Sequence, residues 1–138
     1  MKKREPVSKI MSRDIKSISK TDDLRDVVNI IRSNHIRHIP VIEGEDVVGI
    51  ISSTDINRLT FGALFDNQDG VDEAVLNMLS VEQVMTANPK SVNSNDSIQD
   101  VAEILSQAEY HALPVKEDGH IVGIVTTTDL IKYLLDQY

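Results

Sequence analysis

Val47-Val48-Gly49-Ile50-Ile51-Ser52-Ser53-Thr54-Asp55 returns 74 residues later as Ile121-Val122-Gly123-Ile124-Val125-Thr126-Thr127-Thr128-Asp129. In each copy a β-branched run ends in hydroxyl side chains and then an acid, the composition of a strand passing directly into a helix N-terminus. Around this element, Val7–Leu59 aligns with Val81–Tyr133 without a gap. Val7/Val81, Met11/Met85, Lys16-Ser17/Lys90-Ser91, Asp26-Val27/Asp100-Val101 and Pro40-Val41/Pro114-Val115 fall in one order. A register this long reads as an internal duplication. Residues 7–59 form the first repeat, 60–80 a linker with a short helix, and 81–138 the second repeat. Two copies exclude a long solenoid, so a pseudo-two-fold pair is expected.

Each repeat reads as β-α-β-β-α. Ile15–Ser19 and Pro89–Asn93 are short extended segments, and Thr21 and Asn95 are candidate N-caps. Leu24, Val27, Val28 and Ile31, like Ile98, Val101, Ala102 and Leu105, recur at helical spacing and predict one buried stripe apiece. Ile39–Ile42 with Val47–Ile51, and Leu113–Lys116 with Ile121–Val125, predict antiparallel hairpins. Final helices start near Asp55 and Asp129. The fold class is α/β with small mixed sheets of three strands, each too small to stand alone and packed on its copy. In the linker, Phe61–Phe65 extends the first repeat's last helix and Val71–Leu79 reads as a helix.

The 138 residues are 41% hydrophobic and 26% charged, the balance of an ordinary globular protein. With no cysteine, disulfide scaffolds, thiolate metal sites and cysteine nucleophiles are all excluded. A net charge of −8 disfavours a nucleic-acid backbone as partner, and no apolar run is long enough to span a bilayer. Neither a signal peptide nor a membrane partner is expected, which predicts a cytoplasmic protein. The charge is uneven: residues 7–59 balance eight bases with eight acids, whereas 81–133 carry three bases against eight acids. The first repeat is therefore the better equipped to hold an anion.

No nucleophile elbow, Walker loop, dinucleotide-binding glycine turn or zinc-protease motif occurs, so no catalytic residue is assigned. His35 and His38 are three apart but straddle a helix end with no third ligand in register, and no metal is expected. The informative element is the strand end Ser52-Ser53-Thr54-Asp55 with its copy Thr126-Thr127-Thr128-Asp129. Two readings stand. Helix amides and hydroxyls converge there as an anion site, with the acid placed to accept from a ribose diol. Equally, Ser52-x-x-Asp55 and Thr126-x-x-Asp129 are capping boxes that any helix starting here would use. Facing this element, Arg37-His38-Ile39-Pro40 and His111-Ala112-Leu113-Pro114 precede the hairpins, where Arg and His suit phosphate. The alternative is a set of solvated loop cations.

The duplicated Val-x-x-Val/Ile-Met start, the [Arg/His]-x-[Ile/Leu]-Pro-Val element and the Gly-h-h-[Ser/Thr]-x-x-Asp element together resemble a tandem cystathionine β-synthase (CBS) domain pair, the Bateman module. The resemblance implies a disc-like module whose cleft between repeats binds an adenine nucleotide (AMP, ADP or ATP) or another adenosyl compound. It implies regulation of a protein target, face-to-face homodimers and no required cofactor. By motif, Asp55 and Asp129 would bind ribose, with Ser52, Thr54, Thr126 and Thr128 near ribose or phosphate. Arg37, His38 and His111 would take phosphate. Ile15, Lys16, Ser17 and Ile18, their copies Pro89, Lys90, Ser91 and Val92, and Ile36 and Tyr110 would frame adenine, beside Pro40 and Pro114. Ala112 departs from the polar residue at His38, so two equivalent sites are not implied. A structural, dimerisation or protein-interaction module without a ligand is the alternative function, and an enzyme is not expected.

Overall fold

A computed structural model of the chain describes residues 4–59 and 76–138. The expected helices of Phe61–Phe65 and most of Val71–Leu79 lie outside the described residues. The chain divides into two compact units, Lys16–Asn88 and a discontinuous one made of Met1–Ile15 with Pro89–Tyr138.

In the first unit β1 (Ile18–Ser19) leads to α1 (Leu24–Ser33), then β2 (His38–Glu43), β3 (Asp46–Ser52) and α2 (Ser53–Leu59). The predicted stripe is realised, with Leu24, Val27, Val28 and Ile31 buried. They pack with Ile39, Val41 and Ile51, and Leu76 closes the same core. Cap position differs from the sequence reading: α1 is capped by Asp23, not Thr21, and the matching helix of the other unit by Ser97, not Asn95. The reason is a tight turn ahead of each helix, in which Asp22 accepts from the Ser19 amide and Asp96 from the Asn93 amide, both at 2.9 Å. That turn consumes Thr21 and Asn95 and moves each helix start two residues on. The Arg25 amide, bonded to the Asp23 carboxylate, holds that carboxyl below its ordinary 3.8.

β1 pairs parallel to β2 through Ile18 and Val41, and β2 runs antiparallel to β3 from Glu43/Asp46 to His38/Ser52. The hairpin turns on Gly44 at φ +63°, a left-handed position that glycine adopts without strain. The sheet has four strands rather than the three expected. β4 (Thr86–Ala87), just beyond the short helix α3 (Val81–Val84), adds to β3 opposite Gly49 and Ile50. Met85 lies across Gly49, where a Cβ would stand only 2.2 Å from its Sδ.

The second unit repeats this plan with β5 (Val92–Asn93), α4 (Ile98–Gln107), β6 (Ala112–Glu117), β7 (His120–Thr126) and α5 (Thr127–Asp136). Its three-stranded sheet has the same register, Ala112 opposite Thr126. Its edge is met by the N-terminal segment: the Ser12 amide donates to the Ile124 carbonyl at 2.8 Å, and Ile124 returns the bond at 3.0 Å. Val7 and Met11 enter this unit's core beside Val101, Leu113 and Val125. Tyr133 of α5 donates to the Glu5 carboxylate, which pushes the phenol above its ordinary 10.0. Thus the Val-x-x-Ile-Met run that opens the first repeat serves the sheet of the second, and the matching run at Val81–Met85 serves the sheet of the first.

Candidate functional site

Antiparallel pairing brings the start of β2 and the end of β3 together at one end of the sheet, and β1, parallel to β2, begins at that same end. His38 sits opposite Ser52, and the Ser53 amide donates to the Arg37 carbonyl at 2.7 Å. Lys16 and Ser17 precede β1 there and are exposed. Arg37 and Thr54 are exposed, while Ile36, His38, Ser52 and Asp55 are half-buried. The structure therefore gathers Lys16, Ser17, Arg37, His38, Ser52, Thr54 and Asp55 at one strand end. Ile18 and Pro40 are buried, and Ile15 falls in the other unit.

The same geometry recurs in the second unit. The Thr127 amide donates to the His111 carbonyl at 2.9 Å, and Ala112 sits opposite Thr126. Lys90, Tyr110, His111 and Thr128 are exposed; Pro89, Ser91, Thr126 and Asp129 are half-buried; Val92, Ala112 and Pro114 are buried. Ser53 and Thr127 escaped the motif reading, yet their amides pin each approach strand to the helix start. The available signal was a hydroxyl residue at the same place in both copies.

Both acids form the capping box. Asp55 Oδ2 accepts from the Ser52 amide at 3.0 Å, and Ser52 Oγ accepts from the Asp55 amide at 3.1 Å. Asp129 and Thr126 do the same at 2.9 and 3.2 Å. The capping and ligand readings are compatible, because the cap uses Oδ2 and a carboxylate has a second oxygen able to accept. His35 takes the left-handed conformation at φ +54° just after α1, which gives it a chain-turning role. Among the described residues no three His, Cys, Asp or Glu side chains gather as metal ligands.

Solved structures share this architecture. MJ1225 from Methanocaldococcus jannaschii is 28% identical, with a TM-score of 0.79 over 97% of this chain and 49% of that one. The CBS domain pair of MJ0100, in complex with 5′-methylthioadenosine and S-adenosyl-L-methionine, matches at 24% identity and TM-score 0.78, covering 97% of this chain and 98% of that one. CBSX2 in complex with AMP matches at 20% identity and TM-score 0.76, covering 96% and 97%. Among curated relatives, MJ1225 aligns over 94% of this chain and 47% of its own length, and a homoserine O-acetyltransferase of Methanobrevibacter ruminantium, 25% identical, over 96% and 24%. The chain thus spans about half or less of these two relatives. The CBS domain model matches twice, at residues 7–61 and 81–136, and with both sheets built on one plan the chain belongs to the CBS domain family as a tandem pair.

Proposed function

We propose that the chain is a regulatory module that senses an adenine nucleotide or related adenosyl ligand without turning it over. The observation that carries this is the duplicated strand end, where His38/Ser52 and Ala112/Thr126 register sets an approach strand beside a carboxylate held by its own helix cap. Asp55 and Asp129 accept from ribose hydroxyls through Oδ1. Arg37 and His38 take phosphate in the first copy and His111 in the second, and exposed Lys16 and Lys90, which the resemblance sets beside adenine, add their charge to phosphate instead. Exposed Ser17, half-buried Ser91, and Ile36 and Tyr110 border the base. The relatives solved with AMP, 5′-methylthioadenosine and S-adenosyl-L-methionine support the ligand class.

Homodimerisation, a regulated protein target and a cytoplasmic location belong to the same reading. Ile131, Leu134 and Leu135 on α5 are exposed and suit a self-complementary face. Leu59 packs against the first core and is not part of that face, and Leu64 lies outside the described residues. A thermal-shift and calorimetric panel of AMP, ADP, ATP, S-adenosylmethionine and NAD tests the proposal, with micromolar-range binding of at least one expected. One observation favours the ligand-free structural module: each acid already serves a cap. No heat with any panel member, on protein stripped of carried-over ligand, would leave that second reading ahead. Sedimentation at the monomer mass of 15.4 kDa across accessible concentrations would exclude the dimer.

A further inference from the structure

We infer that the two strand-end sites divide adenosyl ligands by charge: the first takes a 5′-phosphorylated nucleoside, and the second a nucleoside whose 5′ substituent is neutral or cationic. This rests on the proposal above that adenosyl ligands bind at these strand ends. The capping boxes match to within about 0.1 Å between copies, so the helix starts do not discriminate. The approach strands do. In the first unit Lys16 and Arg37 are exposed at the same sheet end as His38, and the acid of that strand end is Asp55, already engaged in its cap. In the second, exposed Glu109 stands where the first has His35, and Tyr110, 41% exposed, where it has Ile36. His111 replaces Arg37, and Ala112, 5% exposed, replaces His38.

The first site therefore sets two permanent cations against one acid, and the second sets Lys90 against Glu109 and Asp129. A phosphomonoester carries a charge of about −1.5 to −2 near neutrality. It gains from the forked guanidinium of Arg37 and is repelled by Glu109. A thioether or sulfonium at the 5′ position has no need of a phosphate-binding fork. When cationic it gains instead from Glu109, and when neutral it meets no repulsion from that carboxylate. The backbone differs too. His35, left-handed, and the Ile36 amide bonded to the Ile31 carbonyl wind the first approach tightly off α1, whereas Ala108 at the end of α4 is already extended.

Calorimetry on the full chain with AMP and 5′-methylthioadenosine, which share adenosine and differ only at the 5′ substituent, tests the division. One molecule of each is expected to bind per chain, and saturation with 5′-methylthioadenosine leaves AMP affinity within about twofold, as for sites with little coupling. Arg37→Ala, an exposed change, weakens AMP by about tenfold or more relative to 5′-methylthioadenosine, the scale of one charged hydrogen bond. Glu109→Lys, also exposed, admits a second AMP. Displacement of AMP by 5′-methylthioadenosine, two equal AMP sites in the parent chain, or no response to either substitution overturns the division and leaves the adenosyl reading standing. Binding of neither compound overturns the adenosyl reading itself, so the two failures are distinguishable.

Discussion

The two strand glycines carry the sharpest energetic contrast. Gly49 and Gly123 are equivalent in the repeat and both lie in strands, so alanine is acceptable to the backbone at either. Relief from glycine's conformational cost would contribute about 0.5–1 kcal/mol in alanine's favour. What a methyl group meets differs. At Gly49 the obstacles are Met85 Sδ at 2.2 Å and Cγ at 2.8 Å, parts of a flexible, half-buried side chain that can rotate aside. At Gly123 the nearest atom is the Ser12 carbonyl oxygen at 2.7 Å, backed by Met11, only 8% exposed. Backbone does not rotate aside, and the Ser12 carbonyl itself accepts from the Ile124 amide. Overpacking costs about 1–3 kcal/mol, and loss of the two Ser12–Ile124 bonds about 0.5–1.5 kcal/mol each. Gly49→Ala should therefore cost about 1 kcal/mol and Gly123→Ala about 2–4 kcal/mol. Urea denaturation followed by far-ultraviolet circular dichroism measures both. Combining Gly49→Ala with Met85→Ala should show a coupling of about 1 kcal/mol, since truncation removes the clash. Equal losses at the two glycines, or strict additivity of Gly49→Ala with Met85→Ala, would refute the reasoning.

Asp55→Asn retains a capping-competent side chain but weakens acceptance from a ribose diol; AMP affinity measured calorimetrically should fall roughly 10- to 150-fold. A purely capping role would instead cost about 1 kcal/mol of stability and leave affinity nearly intact. Tyr133→Phe removes an ionisation raised above 10.0 by the Glu5 carboxylate. Because the folded value is the higher, that hydrogen bond's contribution is complete below pH 10 and is lost as pH rises through the raised value. The parent's melting temperature should thus fall more steeply above pH 10 than the variant's, and parallel curves would exclude the contact. Leu24→Ala opens a void in the first core, where Leu24 is 2% exposed, and should cost about 2–5 kcal/mol by chemical denaturation.

The duplication, the helical stripes and the hairpins were legible because each rests on local periodicity that tertiary packing only had to accept. The strand-end cluster was legible for the same reason, since a hairpin of known register must return residue 52 beside residue 38. Cap positions were not. Thr21 and Asn95 are good caps in isolation, but Asp22 and Asp96 compete by closing a turn one residue later, and nothing in composition ranks the two. Nor was the exchange of opening segments legible. Val7–Met11 and Val81–Met85 have the same pattern, and both sheets offer a glycine for the methionine, so local pattern cannot say which segment serves which sheet. The pairings that decide it are two residues long or less.

That exchange has a consequence for synthesis. The unit that holds Val7 and Met11 is interrupted by Lys16–Asn88, so its N-terminal segment emerges long before Ile124 exists to receive it. At about 5–20 residues per second the delay is roughly 5–25 s, ample for Lys16–Asn88 to fold. Meanwhile the β3 edge at Gly49 presents a socket of the same design and is finished first. The nascent chain must keep Met11 out of that socket until Met85 arrives to claim it. The residues around the two methionines therefore bear on the order of assembly as well as on the finished fold.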